Sequence, residues 1–340
     1  MLPLRPLAKL LVTGGAGFIG SAFIRYLLRQ AAFKGSIVNL DLLSYAGSLK
    51  NLEGFQDHPR HRFIQGDILN QDLVEKLLLD FEIDAIVHFA AESHVDRSIA
   101  SAFPFIETNI KGTLSLLEAV RKMPHVHFHH ISTDEVYGSL GESGTFNEHS
   151  PYRPNSPYSA SKAASDHLVR AYAQTYGLST TLSHCSNNYG PCQYPEKFIP
   201  LMILNCMKGK ALPVYGRGAN IRDWLYVDDH TEAIWSILQF GKKGQTYDIG
   251  GNAEIKNLDL LYLIIEILSS ETKKDPAFLS SLIRFVTDRS GHDFRYAIDI
   301  SKIQRELGWS PRTALKDGLR RTIRWYLKSK SYNNNFNYIK

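Results

Sequence analysis

KLLVTGGAGFIG, residues 9–20, decides the fold. Lys9–Thr13 is a short apolar run with strand character, and Phe18–Ala31 carries helical spacing. Between them lie Gly15-x-Gly17-x-x-Gly20 and, equally, Gly14-x-x-Gly17-x-x-Gly20. Small residues there let the backbone approach a pyrophosphate. The helix start offers free N–H groups and the positive end of its dipole. Ser36–Asp41 (SIVNLD) reads as the next strand and ends in an acid. An acid at that place accepts from both ribose hydroxyls of a dinucleotide and repels a 2′-phosphate. No Arg or Lys follows Asp41 directly, so NAD is favoured over NADP.

Working outward, strand and helix patterns alternate. Arg62–Gln65 is a weaker third strand, Asn70–Phe81 a helix and Ala85–Phe89 a fourth strand. Thr108–Arg121 has apolar positions Ile110, Leu114, Leu117 and Val120, close to helical spacing. His127–Ile131 is a fifth strand, Tyr158–Tyr176 a helix and Thr180–Ser183 a sixth strand. Repeated β-α-β with apolar strands predicts an α/β fold, a doubly wound parallel sheet covered on both faces. Asp67, after the third strand, either holds an adenine edge or caps the following helix. Ala90, Ala91 and Ser93 are small residues suited to a trough at the carboxyl edge of the sheet.

The second half is less regular. Pro191, Pro195 and Pro200 mark an excursion into a smaller, mostly helical C-terminal unit. Asp228–Phe240 and Thr246–Ile249 read as a helix and a strand that return to the first unit. Leu258–Leu268 and Gly318–Leu327 read as further helices. The expected division is 1–189 with 223–250 for the dinucleotide, and 190–222 with 251–330 for the substrate. The asparagine-rich 331–340 is expected to be a frayed tail.

The 340 residues carry a net charge of +5 and are 44% hydrophobic, an ordinary globular composition. Basic residues are spread along the chain, which gives no support for a nucleic-acid partner but suits a small anionic ligand. Three cysteines without paired spacing argue against a disulfide framework and fit a reducing, cytoplasmic setting. No apolar run is long enough to span a membrane, and the start of the chain does not read as a signal peptide. His125, His127, His129 and His130 lack carboxylate or cysteine partners at ligand spacing, so no metal is expected.

The chemistry sits in HHISTDEVYGS (129–139) and PYSASK (157–162). Tyr158 and Lys162 lie four apart on one helix face, with Ser156 and Pro157 as N-cap and first helical residue. A phenol with a pKa near 10 is a poor base at neutral pH. Lys162 and a bound nicotinamide cation are expected to lower that pKa. Thr133 can hydrogen-bond the same sugar hydroxyl. Asp134 and Glu135 are adjacent carboxyls just past the fifth strand. Double ionisation is disfavoured there, leaving one acid and one base, as loss of water requires. Redox and acid–base equipment in one site points to a dehydratase that uses its nicotinamide catalytically. An epimerase or other nucleotide-sugar modifier, or a non-catalytic NAD(H) sensor, stays open on these residues.

With TGGAGFIGSA, LLSYAGSLKNL, HFAAESHVDRSI, FIETNIKGT, HHISTDEVYG, PYSASKAASDHLVRAY, CSNNYGP, PEKFIPL, RDWLYVDDH and DRSGHDFRYAID, the chain resembles the extended short-chain dehydrogenase/reductases. Among them it is most similar to the dTDP-glucose 4,6-dehydratase family, with Ser290 where that family commonly has proline. The resemblance implies a Rossmann fold and NAD-dependent conversion of dTDP-glucose to dTDP-4-keto-6-deoxyglucose, a lyase step of deoxysugar biosynthesis, in a cytoplasmic homodimer. It implies catalytic roles for Thr133, Asp134, Glu135, Tyr158 and Lys162. It implies NAD contacts at Gly14, Gly17, Phe18, Ile19, Gly20, Asp41, Asp67, Ile68, Ala90, Ala91, Ser93, Thr108, Tyr158, Lys162 and Asn188. Nucleotide-sugar contacts are implied at Ser93, Thr133, Asn187, Lys197, Phe198, Pro213, Tyr215, Arg222, Asn257, Asp288 and His292. Arg222 would be the diphosphate partner.

Overall fold

The computed structural model describes residue 5 and residues 7–329. The expected frayed tail at 331–340 lies outside the described residues. The first half runs β1 (Lys9–Thr13), α1 (Phe18–Arg29), β2 (Ser36–Asp41), β3 (His61–Gln65), α2 (Gln71–Asp80) and β4 (Ala85–His88). Then come α3 (Val95–Ala100), α4 (Phe103–Phe105), a π-helical turn (Ile106–Gly112), α5 (Thr113–Lys122) and β5 (His127–Thr133). A 3-10 turn (Asp134–Tyr137), α6 (Pro157–Tyr176) and β6 (Thr180–Cys185) follow.

Seven parallel strands form one sheet in the order β10-β6-β5-β4-β1-β2-β3, where β10 is Thr246–Ile249. Successive side chains of a strand face opposite sides, and the core divides accordingly. Leu10 and Val12 pack with Phe23, Ile24 and Leu27 of α1 and Ile234 of α8 (Val227–Phe240). Leu11 packs on the other side with Val74 of α2, Leu117 of α5 and Val169 of α6. Both faces are covered, so the strands read as apolar runs. Strand order reverses between β1 and β4, which opens a crevice at their carboxyl ends.

The remaining elements are β7 (Asn187–Tyr189), α7 (Phe198–Lys208), β8 (Leu212–Tyr215), β9 (Ile221–Tyr226), β11 (Glu254–Lys256) and α9 (Asn257–Thr272). The chain continues through α10 (Pro276–Ser281), β12 (Ile283–Val286), α11 (Ser301–Leu307) and α12 (Leu315–Lys328). α7, α9 and α12 share a second core built on Ile203, Ile264, Leu268 and Ile323. Two small sheets, β11-β9-β7 and β12-β8, flank it. No helix among the described residues is long and apolar enough to cross a membrane.

Two differences from the sequence reading matter for the site. β5 and β6 each run two residues further than expected, because pairing continues through Ser132↔His184 and Thr133↔Cys185. The expected helix from Thr108 opens as a π turn. There Asn109 turns inward to accept from Glu92 N at 2.9 Å and donate to Ser161 Oγ at 2.8 Å. His127 and His129 are buried between β5 and β6, where Ser179, Thr181 and Ser183 hydroxyls meet their ring nitrogens. Burial pushes His127 well below its ordinary pKa and His129 down to about 3.

Candidate active site

β1, β4, β5 and β6 are parallel, so their carboxyl ends open on one side. A cavity of about 260 Å3 lies there. Its floor is the loop between β1 and α1. Gly14 adopts φ +72, and a Cβ on it would stand 2.5 Å from Ala90 N. A Cβ on Gly20 would stand 2.4 Å from Gly14 O, so helix and loop close only with glycine at both places. Gly17 heads α1 without a side-chain cap, and the first turn of α1 holds no acidic residue. The helix start therefore keeps free N–H groups beside the cavity, which Gly14, Gly17, Phe18, Ile19 and Gly20 line.

Asp41 does not line the cavity. Its carboxylate accepts from Ala16 N and Leu43 N, each at 2.8 Å, and so holds the loop after β2 against the glycine loop. Burial raises its pKa, and those backbone hydrogen bonds pull against the rise. Asp67 accepts from Leu69 N at 2.9 Å in the turn before α2, with Ile68 buried behind it. Ala90 packs on Gly14, and Thr108 lies in the π turn. None of these four lines the cavity, whereas Ala91, Ser93 and Asn188 do.

Thr133, Asp134, Glu135, Tyr158 and Lys162 all line the same cavity. Ser156 caps α6 by accepting from Ser159 N at 3.0 Å in a capping box, with Pro157 at the first helical place. This sets the register that puts Tyr158 and Lys162 on the inner face, both buried. Lys162 Nζ donates to Ile131 O at 2.8 Å, and burial pulls its pKa down to about 8. The expected lowering of the Tyr158 pKa is not found in the protein alone. Burial pushes the phenol well above its usual value, and the Glu135 carboxylate adds to the rise. The Thr133 hydroxyl works in the other direction.

The two carboxyls differ. Asp134 is 1% exposed, its Oδ1 takes the Thr133 hydroxyl at 3.3 Å, and its Oδ2 has no hydrogen-bond partner among the described residues. Burial, then Glu135 and Asp223, push it well above the usual carboxylate range. Glu135 is half-buried. Burial raises it as well, but the cations of Arg289, Lys197 and Arg222 pull it back. Adjacent carboxyls pushed apart in this way provide a protonated acid beside a base.

Asn187 and Lys197 line the cavity, with Lys197 Nζ donating to Ser93 O at 2.6 Å. Of the other expected sugar-nucleotide contacts, Ser93 and Thr133 line it too, whereas Phe198, Pro213, Tyr215, Arg222, Asn257, Asp288 and His292 do not. Arg222 is buried, donates to Asp293 O at 2.9 Å and lies over the Tyr296 ring at 4.3 Å. Tyr215, Asp288 and His292 gather apart from the cavity, with His292 Nδ1 2.6 Å from Asp288 Oδ1. Pro213 stands on β8 beside them, Asn257 starts α9, and Phe198 packs on the second core. Sequence reasoning missed Cys185, Ser186, Gln193, Tyr194 and Glu196 in the cavity wall. Glu196 accepts from Tyr45 at 2.9 Å and pairs with Arg97 at 3.3 Å. The available signal was the full CSNNYGP segment, whose first two residues flank the asparagines that were singled out.

A family model described as GDP-mannose 4,6-dehydratase matches residues 11–322. The dTDP-glucose 4,6-dehydratase of Neisseria meningitidis is 51% identical over 95% of this chain and 94% of its own length. A crystal structure of a dTDP-glucose 4,6-dehydratase from Streptomyces venezuelae with NAD bound is 49% identical. It covers 95% of this chain and 98% of that one, with a TM-score of 0.89. The Bacillus anthracis dTDP-glucose 4,6-dehydratase in complex with NAD is 46% identical over the same shares, with a TM-score of 0.87. The chain therefore belongs to the family which that model describes, and within it to the dTDP-glucose 4,6-dehydratases.

Proposed function

We propose that the chain converts dTDP-glucose to dTDP-4-keto-6-deoxyglucose and water, with NAD as a cofactor regenerated in each cycle. One observation carries the reading: Asp134 and Glu135 share a single cavity with Tyr158, Lys162 and an uncapped glycine-loop helix. The site fits NAD, since free N–H groups at α1 suit its pyrophosphate and Asp41 stands by the same loop. Bound there, NAD supplies the hydride acceptor and donor of an internal redox cycle. Tyr158 takes the proton of the 4-hydroxyl, its phenol held by burial and by Thr133. The resulting ketone acidifies the hydrogen on carbon 5. Glu135 takes that proton, Asp134 protonates the departing 6-hydroxyl so that it leaves as water, and Glu135 would give a proton back to carbon 5 as carbon 6 is reduced. Each positioned acid or base typically gives 10²–10⁴-fold, so the pair would lower the barrier by about 5 kcal/mol or more.

Segments 190–222 and 251–330 are assigned to the nucleotide sugar, with 1–189 and 223–250 for NAD. The test is to incubate the protein separately with dTDP-glucose and UDP-glucose and weigh the products. A dTDP-sugar lighter by one water is the expected result. An unchanged mass would make the chain an epimerase, no turnover a sensor, and equal loss of water from UDP-glucose would end the assignment of the base.

A homodimer through α5 and α6 forms part of the same proposal. Ala160 and Ala171 are exposed on α6, while Ala163 turns inward to pack on Val136 and Tyr137. Phe103, 81% exposed, stands on the segment leading into α5. Small residues allow two helices to approach their two-fold copies closely. Light scattering at micromolar concentration should give twice the chain mass, and a monomer there would contradict the interface.

A further inference from the structure

Behind the cavity wall lies a buried ionic cluster that the proposed chemistry does not use. His184, on β6, is fully buried between two carboxylates. Its Nδ1 lies 2.9 Å from Asp248 Oδ1 on β10 and 2.8 Å from the Tyr137 hydroxyl. Its Nε2 lies 3.1 Å from Asp166 Oδ2 on α6 and 2.7 Å from the Tyr152 hydroxyl. Each ring nitrogen thus meets one carboxylate and one phenol. The phenols donate to the carboxylates, Tyr137 to Asp248 at 3.0 Å and Tyr152 to Asp166 at 2.9 Å. Their lone pairs, and those of the carboxylates, are left for ring N–H groups on both sides, which is the imidazolium form. Burial pulls the ring pKa down, but hydrogen bonds to Asp166 and Asp248 outweigh it and hold the pKa at about 9.

The partners of this cation belong to the segments that carry the chemistry. Asp166 lies one turn beyond Lys162 on α6. Its Oδ1 is 3.3 Å from His130 Nε2, which in turn is 3.4 Å from Lys162 Nζ. Tyr137 ends the turn that begins at Asp134 and Glu135. Ser132, just before that turn, donates to Asp166 at 2.9 Å. A buried charge that loses a partner is strongly penalised, so these contacts fix geometry rather than merely fill space.

We propose that His184, with Asp166 and Asp248, is a positioning residue that sets the turn carrying Asp134 and Glu135 against the helix carrying Tyr158 and Lys162. The inference rests on the elimination roles given above to Asp134 and Glu135. The Tyr137 ring packs on Phe146 at 5.2 Å, so removing its hydroxyl spares the packing but unhooks the turn from the cluster.

The experiment is a single turnover of Tyr137→Phe on dTDP-glucose in deuterated water. It follows nicotinamide absorbance, deuterium at carbon 5 and loss of water together. Oxidation should stay within about twofold of wild type while carbon-5 exchange and dehydration slow at least tenfold. Asp248→Asn, of the same shape, carries the same expectation and stands in if Tyr137→Phe does not fold. If both steps keep their ratio, whether unchanged or slowed together, the cluster is only structural and the inference is overturned. Glu135→Gln, run alongside, separates the two failures. If it stalls before dehydration while Tyr137→Phe keeps the wild-type ratio, the positioning inference alone falls. If Glu135→Gln loses water at the wild-type rate, the reading of the acid pair falls, and the inference with it.

Discussion

A Tyr158→Phe enzyme given dTDP-glucose in a single turnover is expected to form no reduced nicotinamide, a loss of about 10³-fold or more. The buried phenol is the cavity group next to Thr133, and burial and Glu135 hold its pKa high in the protein alone. It can serve as a base only when positive charge arrives with the cofactor and the proton leaves as the carbinol is oxidised. Lys162 cannot replace it, because its Nζ is committed to Ile131 O. Phenylalanine keeps the ring, whose edge contact with Phe105 spans 6.3 Å between centroids, so the fold should survive and only the proton transfer be lost. Absorbance of reduced nicotinamide rising at the wild-type rate would remove Tyr158 from the role assigned to it.

The second large effect is expected at the acid pair, and it should divide the reaction rather than stop it. Glu135→Gln keeps the oxidation machinery and removes the base for carbon 5. The variant should form reduced nicotinamide and a 4-keto hexose, then stall without taking deuterium from solvent. Asp134→Asn removes the acid instead. Carbon 5 should still exchange while water loss slows by about 10²-fold or more. The asymmetry follows from the surroundings: Asp134 is buried with one oxygen unpartnered among the described residues, whereas Glu135 faces the charges of Arg289, Lys197 and Arg222. Wild-type exchange at carbon 5 in Glu135→Gln would reverse the assignments.

The glycine loop, Tyr158 with Lys162, and Asp134 with Glu135 were legible because each works through neighbours in the chain. A strand end, a helix turn and a capping serine fix where such groups point. The charges that tune them were not legible. Arg222, Arg289 and Lys197 reach Glu135 from the later half of the chain, and His184 collects Asp166 and Asp248 from separate elements. Periodicity also failed for β7, β8, β11 and β12, which have only three or four residues each. Lys162 showed the limit of reading a pair as a pair. Its spacing from Tyr158 was plain, but its bond to Ile131 O depends on where β5 runs beneath α6.

The pairing of β10 with β6 sets an order of events during synthesis. At about 5–20 residues per second, the ribosome needs on the order of several seconds to pass from Cys185 to Ile249. Until then β6 is the outer strand of the nascent sheet, with open N–H and C=O groups, and His184 lacks Asp248. The sequence of that waiting strand, TTLSHC, offers hydroxyls and an imidazole where an aggregating edge offers aliphatic side chains. The same strand whose hydroxyls hold the buried histidines of β5 thus makes a poor template for a second chain while it waits for β10.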